Sequence, residues 1–311
     1  MLAGVDRAGL AGALPGLRAA GVTRLSLGVQ TLVDAELGTL GRRHRYDDVA
    51  RAVAAARAAG FDDCSLDLIF AVPDQSLASW TLTLERALAL APEHLSIYGL
   101  TVEEGTPYAA WFAREPARFA TSDLEAEMYG VAIARLEAAG FEHYEISNFA
   151  RPGRRCAHNA NYWANGTYLG LGVGAASYLA GERSVATREL ERYVASIEAG
   201  SAVPRERERL RGARAAGEAA MLRLRTAEGI DVPAFLARYG IDPHAIAPAA
   251  VAEFVRAGLV IAEPGRIALT PRGRFVANDV CAAFLGDDDP EEAELRPGGE
   301  ANRLAERVAR T

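Results

Sequence analysis

The sequence contains no lysine, and all 34 of its basic side chains are arginine. With the abundant alanine, this reads as genome base composition and assigns no function. Only three cysteines occur, Cys64, Cys156 and Cys281. They lie far apart, so no CxxC-type pair exists and spacing alone offers no zinc or cluster site. Cys64 falls in an apolar strand pattern and Cys281 in a helical one, which predicts core positions for both. Cys156 alone has a polar, irregular setting. No run of 18 apolar residues is present, so no membrane-spanning helix is indicated. The N-terminus, MLAGVDRAGLAGALPGL, lacks the basic flank and long apolar core of a signal peptide. These absences point to a cytoplasmic chain, in which a disulfide is not expected. Basic residues are outnumbered by 41 acidic ones, and the net charge of −7 argues against a general nucleic-acid binder.

What is present is ordinary for a globular protein: 311 residues, 50% hydrophobic and 24% charged. Short apolar strands alternate with helical patterns through the first 150 residues. RLSLGVQ (24–30), CSLDLIF (64–70), HLSIYGL (94–100) and HYEIS (143–147) read as four strands. Residues 46–59 form a helix with Asp47 or Asp48 as cap and Gly60 as stop. A second helix spans 76–91, with apolar residues at 77, 80, 84 and 88 and Pro92 just beyond. A third spans 122–140, with Ser122 as cap, Glu125 completing a capping box and Gly140 as stop. This alternation predicts a parallel sheet with right-handed crossovers, either doubly wound or a barrel. In both, ligands bind at the C-terminal strand ends.

Polar residues gather at those ends: Gln30 closes the first strand, Thr101 follows the third, and Glu145 and Asn148 close the fourth. Asp67 differs, because it lies inside CSLDLIF. An unpaired carboxylate buried there would cost several kcal/mol, so a partner is expected, either an arginine or a ligand. From about residue 205 the pattern changes. Residues 205–231 read as helical with a break near Glu228–Asp231, short helices follow, and 260–285 read as strand, turn, strand, helix. This resembles a winged helix, a module that often binds DNA. Its recognition-helix candidate carries few basic residues, so a structural or lid role is expected. Residues 286–311 are highly charged and poor in apolar residues, which predicts disorder.

The segment CAHNANYWANGTYLGLGVGAAS (156–177) shows neither helical nor strand period. It places Cys156, His158, Asn159, Tyr162 and Trp163 within eight positions. A G-x-G-x-x-A spacing runs from Gly170 to Ala175, but a dinucleotide loop would need a surrounding βαβ unit, and none is evident.

RLSLGVQTL, LGRRHR, LDLIFAVPDQS, PEHLSIYGLTVEEGTP, YEISNFARPG and HNANYW occur in this order. Together they resemble the radical SAM coproporphyrinogen III oxidase-like family, most closely its heme-chaperone branch. The match is dense over roughly residues 10–180. The resemblance implies an α/β fold: a partial (β/α)6 TIM-like barrel over residues 1–200, lacking its first strands. A small, mostly helical, winged-helix-like C-terminal domain follows over 205–285. The intact family carries a [4Fe-4S] cluster and S-adenosylmethionine (SAM). Carried over motif by motif, Gln30 closes a barrel strand beside SAM and Arg42 approaches its carboxylate. Asp67 accepts from the ribose, and Thr101 flanks the adenine. HNANYW resembles the motif implicated in heme binding, which implies His158 as an axial iron ligand, with Asn159, Tyr162 and Trp163 around the porphyrin. Cys156 is a possible second iron ligand. Heme and its hemoprotein acceptors are the implied partners. The implied alternatives are an oxygen-independent coproporphyrinogen III oxidase, and an inert or partner-dependent scaffold.

The chain departs from the family pattern in specific places. CxxxCxxC, whose thiolates hold the cluster, is absent, so no radical SAM cluster is expected in this chain and no catalytic residue is assigned. The expectation is a truncated gene or a misassigned start at Met1, with RLSLGV left as an apolar edge. Ala71 replaces an expected glycine, and Ala176 an expected histidine.

Overall fold

The structure, a computed structural model, describes residues 7–285, with side chains from residue 12. The charged tail expected to be disordered lies outside these residues. Two compact units divide at Cys156/Ala157. The sequence reading places its boundary later, near 200–205. The HNANYW segment thus begins the second unit.

The first unit comprises α1 (Arg7–Ala19), β1 (Leu25–Gln30), α2 (Asp34–Thr39), α3 (Tyr46–Ala58), β2 (Cys64–Phe70) and α4 (Leu77–Ala89). It continues through β3 (His94–Gly99), α5 (Pro107–Arg114), α6 (Ser122–Ala138), β4 (Glu142–Glu145) and β5 (Asn148–Ala150). The sheet order is β1-β2-β3-β5-β4. β1, β2 and β3 are parallel, as the alternation predicts. The expected fourth parallel partner is corrected: β5 lies antiparallel to β3, and β4 pairs antiparallel with β5 at the edge. Only Ile146 and Ser147 separate β4 from β5, and so short a connection permits only an antiparallel hairpin.

Period-2 alternation gives the sheet two unlike faces. Leu66, Leu68, Leu95 and Ile97 point to one face and are buried with Trp80, Leu84, Met128, Ala132 and Leu136 of α4 and α6. Each large side chain removed from water there contributes roughly 1.5–3 kcal/mol. The Trp80 indole N–H is satisfied by the Met128 carbonyl at 2.8 Å. Helix starts follow local chemistry, with two shifts from expectation. Thr121, not Ser122, caps α6 by accepting the Leu124 N–H at 3.3 Å. Glu125 is thereby one residue too far along to close a capping box. Arg45 occupies the N-cap of α3, and Asp48 accepts its backbone N–H at 2.9 Å from the first turn. Ser76, the first residue of the expected helix, is the N-cap of α4 and accepts the Ser79 N–H at 3.1 Å.

The second unit comprises α7 (Ala157–Trp163), β6 (Ala176–Leu179), β7 (Glu182–Ala186), α8 (Leu190–Glu198), β8 (Arg205–Glu208) and α9 (Gly212–Leu224). β9 (Ile230–Asp231), α10 (Val232–Tyr239), α11 (Pro248–Arg256), β10 (Val260–Glu263), β11 (Arg266–Leu269) and α12 (Ala277–Ala282) follow. β6, β7 and β8 form an antiparallel sheet. The helix expected from residue 205 is therefore corrected at its start. Arg205–Glu208 is a strand whose charges alternate with period 2, and Glu208 pairs with Arg183 across β7 at 3.2 Å. The break expected near Glu228–Asp231 contains Gly229 at φ +71°, where a Cβ would sit 2.2 Å from the Ile267 carbonyl oxygen. Helices α9, α10 and α11 with the β10–β11 hairpin have the element order of a winged helix. Cys64 and Cys281 are buried as predicted, and all three cysteines are free thiols. Burial pushes the Cys281 thiol up to about 11.

Candidate functional site

The face of the first sheet opposite the helices is polar. Register aligns Gly28 of β1, Asp67 of β2, Ser96 of β3, Asn148 of β5 and Glu145 of β4 in one row across all five strands. The apolar strand residues lean the other way, so the core itself drives this row to the opposite face of the sheet. Asp67 is half-buried, and the Ser26 hydroxyl reaches both of its oxygens, at 2.9 and 3.1 Å. Among the described residues no arginine pairs with it, which rules out the structural ion pair considered from the sequence. Glu145 and Asn148 are 2% and 3% exposed. The Asn148 amide donates to one Glu145 oxygen, and the Ser147 N–H donates to the other at 3.2 Å. Burial pushes the Tyr98 phenol above its ordinary value, and the Asp67 and Glu145 carboxylates add to the rise.

Gln30 ends β1 at φ +70°, beside an irregularity in the β1–β2 register. Its amide nitrogen fills the space over Gly28, where a Cβ would meet it at 2.9 Å. Gly28 stands opposite Asp67, so Gln30 and Asp67 share one corner of the sheet. Positive φ for a glutamine costs about 1–3 kcal/mol, a strain that concentrates at ligand sites. Arg42 is exposed just past α2, its N–H bonded to the Leu37 carbonyl at 2.8 Å. Thr101 is exposed beyond β3. Both belong to loops on this unit, and the hydrogen-bond partners of Asp67 are Ser26 and Ser65, not these two. Ala71 adopts φ +61°, the conformation for which the family glycine is suited. Ser26, Gly28 and Ser96 escaped the sequence reading, although the Ser26–Gly28–Gln30 alternation was available to find the first two.

HNANYW, expected to be irregular, is a short helix, α7. Its motif divides into two i,i+4 pairs. His158 and Tyr162 share one face, their rings edge to face with centroids 4.7 Å apart. Asn159 and Trp163 lie on another, and the Arg225 guanidinium sits 5.2 Å from the centre of the Trp163 ring. Tyr162 continues the aromatic row to Tyr168 at 4.6 Å, and Tyr168 forms a β-bridge with Tyr178. The loop between those tyrosines exposes Leu169, Leu171 and Val173 by 63%, 85% and 40%. Its glycines have a structural duty: a Cβ on Gly170 would lie 2.0 Å from the Ala176 carbonyl oxygen. An antiparallel hairpin follows them, so no βαβ dinucleotide unit is present here. Cys156 is half-buried, and its N–H reaches the Tyr144 hydroxyl at 3.4 Å.

The donors for a cluster are lacking. The chain's three cysteines are dispersed, and no group of three or more His, Cys, Asp or Glu among the described residues can hold a metal ion. These residues do not fit a [4Fe-4S] cluster. No described helix is long and apolar enough to cross a membrane.

Residues 8–115 match the radical SAM superfamily, and residues 213–276 match the HemN C-terminal domain. Heme chaperone HemW of Bacillus subtilis is 35% identical over 271 residues, covering 87% of this chain and 72% of that one. Heme chaperone HemW of Mycobacterium tuberculosis is 36% identical over 271 residues, 67% of its own length. The Synechocystis relative is 39% identical, with 48% of its length covered. Among solved structures, coproporphyrinogen III oxidase (HemN) from Escherichia coli superposes with a TM-score of 0.75 at 24% identity. That likeness covers 88% of this chain and 66% of the other, and it establishes the α/β fold with its helical C-terminal domain. The chain thus spans from little more than a third to under three quarters of the length of the relatives it matches. The ordered motifs, the two domain matches and this shared identity lead to one assignment: the chain belongs to the HemW family of radical SAM proteins.

Proposed function

We propose that the chain acts as a heme chaperone, binding heme as cargo through the segment 157–178 for delivery to hemoproteins. One observation carries this reading. An exposed imidazole, His158, shares a helix face with Tyr162, and the aromatic row leads to a shelf of exposed Leu169, Leu171 and Val173. Clustered exposed apolar side chains are unfavourable unless something covers them, and a porphyrin offers a flat apolar face with an iron that accepts imidazole. Trp163 supports the helix from its other side, with Asn159 on the same face. Cys156, two residues before His158, is the candidate second iron ligand.

On the polar sheet face, the same family reading gives a SAM site, with Asp67 accepting from ribose hydroxyls, Gln30 beside it and Arg42 and Thr101 contributed from loops. The oxidase alternative requires a cluster that this chain's cysteines do not fit, so no radical step is derived. Hemin titration tests the chaperone reading. Wild-type protein is expected to develop a Soret band at stoichiometric hemin, weakened at least tenfold in affinity in His158→Ala and shifted in wavelength in Cys156→Ser. Equal hemin affinity in wild type and His158→Ala would remove His158 as the ligand.

A further inference from the structure

On the same polar face of the sheet, one row nearer the start of β2 and β3, runs a hydrogen-bonded chain that the heme and SAM readings leave unused. The Ser65 hydroxyl lies 2.8 Å from His94 Nδ1, and His94 Nε2 lies 2.8 Å from the Tyr144 hydroxyl. Tyr144 in turn accepts the Cys156 N–H at 3.4 Å, and the Ser65 hydroxyl reaches Asp67 at 3.5 Å, the outer limit of such a bond. Ser65, His94 and Tyr144 are 2%, 1% and 3% exposed, so water does not substitute for a missing partner.

Two proton arrangements are conceivable for a neutral imidazole. If the proton sits on Nε2, Tyr144 receives both the imidazole and the Cys156 N–H. Its own buried O–H is then left without an acceptor, a cost of about 1–3 kcal/mol. With the proton on Nδ1, every donor is used once. Cys156 N–H donates to Tyr144, Tyr144 to Nε2, Nδ1–H to Ser65, and Ser65 to Asp67. Burial holds the imidazole neutral, pushing it down to about 3 with Arg24 adding to the effect.

We infer that His94 is a positioning residue for Asp67: its Nδ1–H holds the Ser65 oxygen, so that the Ser65 hydroxyl, together with that of Ser26, aims at the carboxylate. The functional consequence rests on the proposed SAM contact of Asp67; the proton arrangement does not. The side-chain amide of the His94→Asn variant retains a donor near Nδ1, whereas His94→Gln retains one near Nε2 only. The test combines the 15N NMR spectrum of His94 with calorimetric binding of S-adenosylhomocysteine to wild type, both variants and Ser65→Ala. The Nδ1–H tautomer is expected in the wild type. Affinity is expected near wild type in His94→Asn and about tenfold weaker in His94→Gln and Ser65→Ala, the size of one lost hydrogen bond. An Nε2–H tautomer overturns the inference whether or not the nucleoside binds. Equal affinities across all four proteins overturn it too. The Nδ1–H tautomer with no nucleoside binding to wild type sustains the proton arrangement and sinks the SAM reading instead.

Discussion

His94 shows how burial turns one side chain into a pH-dependent liability. It is 1% exposed, and desolvation lowers its imidazole to about 3, with the Arg24 charge adding to the fall. Ser65 and Tyr144 are the side chains bonded to it. In the unfolded chain a histidine titrates near 6.5. The folded value is depressed, so protonation favours the unfolded state. The stabilisation is fully present above about pH 6.5 and is lost as pH falls toward about 3, at up to roughly 1.4 kcal/mol per pH unit. Between pH 7 and pH 5, wild type is expected to lose about 2 kcal/mol more than His94→Asn in urea unfolding. Parallel losses in the two proteins would show that His94 is protonated in the folded state. Asp67 teaches the complementary lesson. Its place inside an apolar strand marked it as unusual in sequence, but its nearer partner, Ser26, lies 41 positions away on another strand, and only the pairing of β1 with β2 brings the two together.

Elements were legible where their signals are local. β2 spans Cys64–Phe70 as its apolar run predicts, and α4 begins after the serine that caps it. Legibility failed where partner strands decide the outcome. Arg205–Glu208 has the composition of a helix, but β7 supplies Arg183 directly opposite Glu208 and Glu182 diagonal to Arg207, and the segment becomes a strand. HNANYW failed in the other direction. Its apolar period is weak, but i,i+4 contacts and packing stabilise a helix that propensity alone would not. The β6–β7 hairpin gives a direct test of local chemistry. Its two-residue turn places Ala180 at φ +51° and Gly181 at φ +75°. Both central positions of this turn type need positive φ, which alanine adopts at a cost of about 1 kcal/mol and asparagine more readily. Ala180→Asn is expected to stabilise the protein by about 0.5–1 kcal/mol, read as a higher thermal midpoint. A lower midpoint would mean that the turn conformation differs from the one described.

At the scale of the whole molecule, charge weighs against one attractive reading of the second unit. A winged-helix element order suggests DNA, but α11 carries one basic residue, Arg256, against Glu253, and the net charge is −7. Non-specific DNA binding comes largely from phosphate neutralisation, with dissociation constants of roughly 10⁻⁴ to 10⁻⁶ M for proteins that have it. Fluorescence anisotropy with a labelled duplex is expected to show no binding at about 10 µM protein and about 0.15 M salt. Micromolar binding would reassign the C-terminal helices. The order of motifs along the chain was enough to indicate an α/β fold, the family, and the strand positions of Gln30 and Asp67. The fold class and the strand positions follow from local periodicity, and the family from the resemblance that the ordered motifs carry. The insertion of β5 between β3 and β4, the polar row across five strands and the Ser65–His94–Tyr144 chain arose only on folding. Each joins residues tens of positions apart, and burying the opposite face of the sheet is what brings them into register.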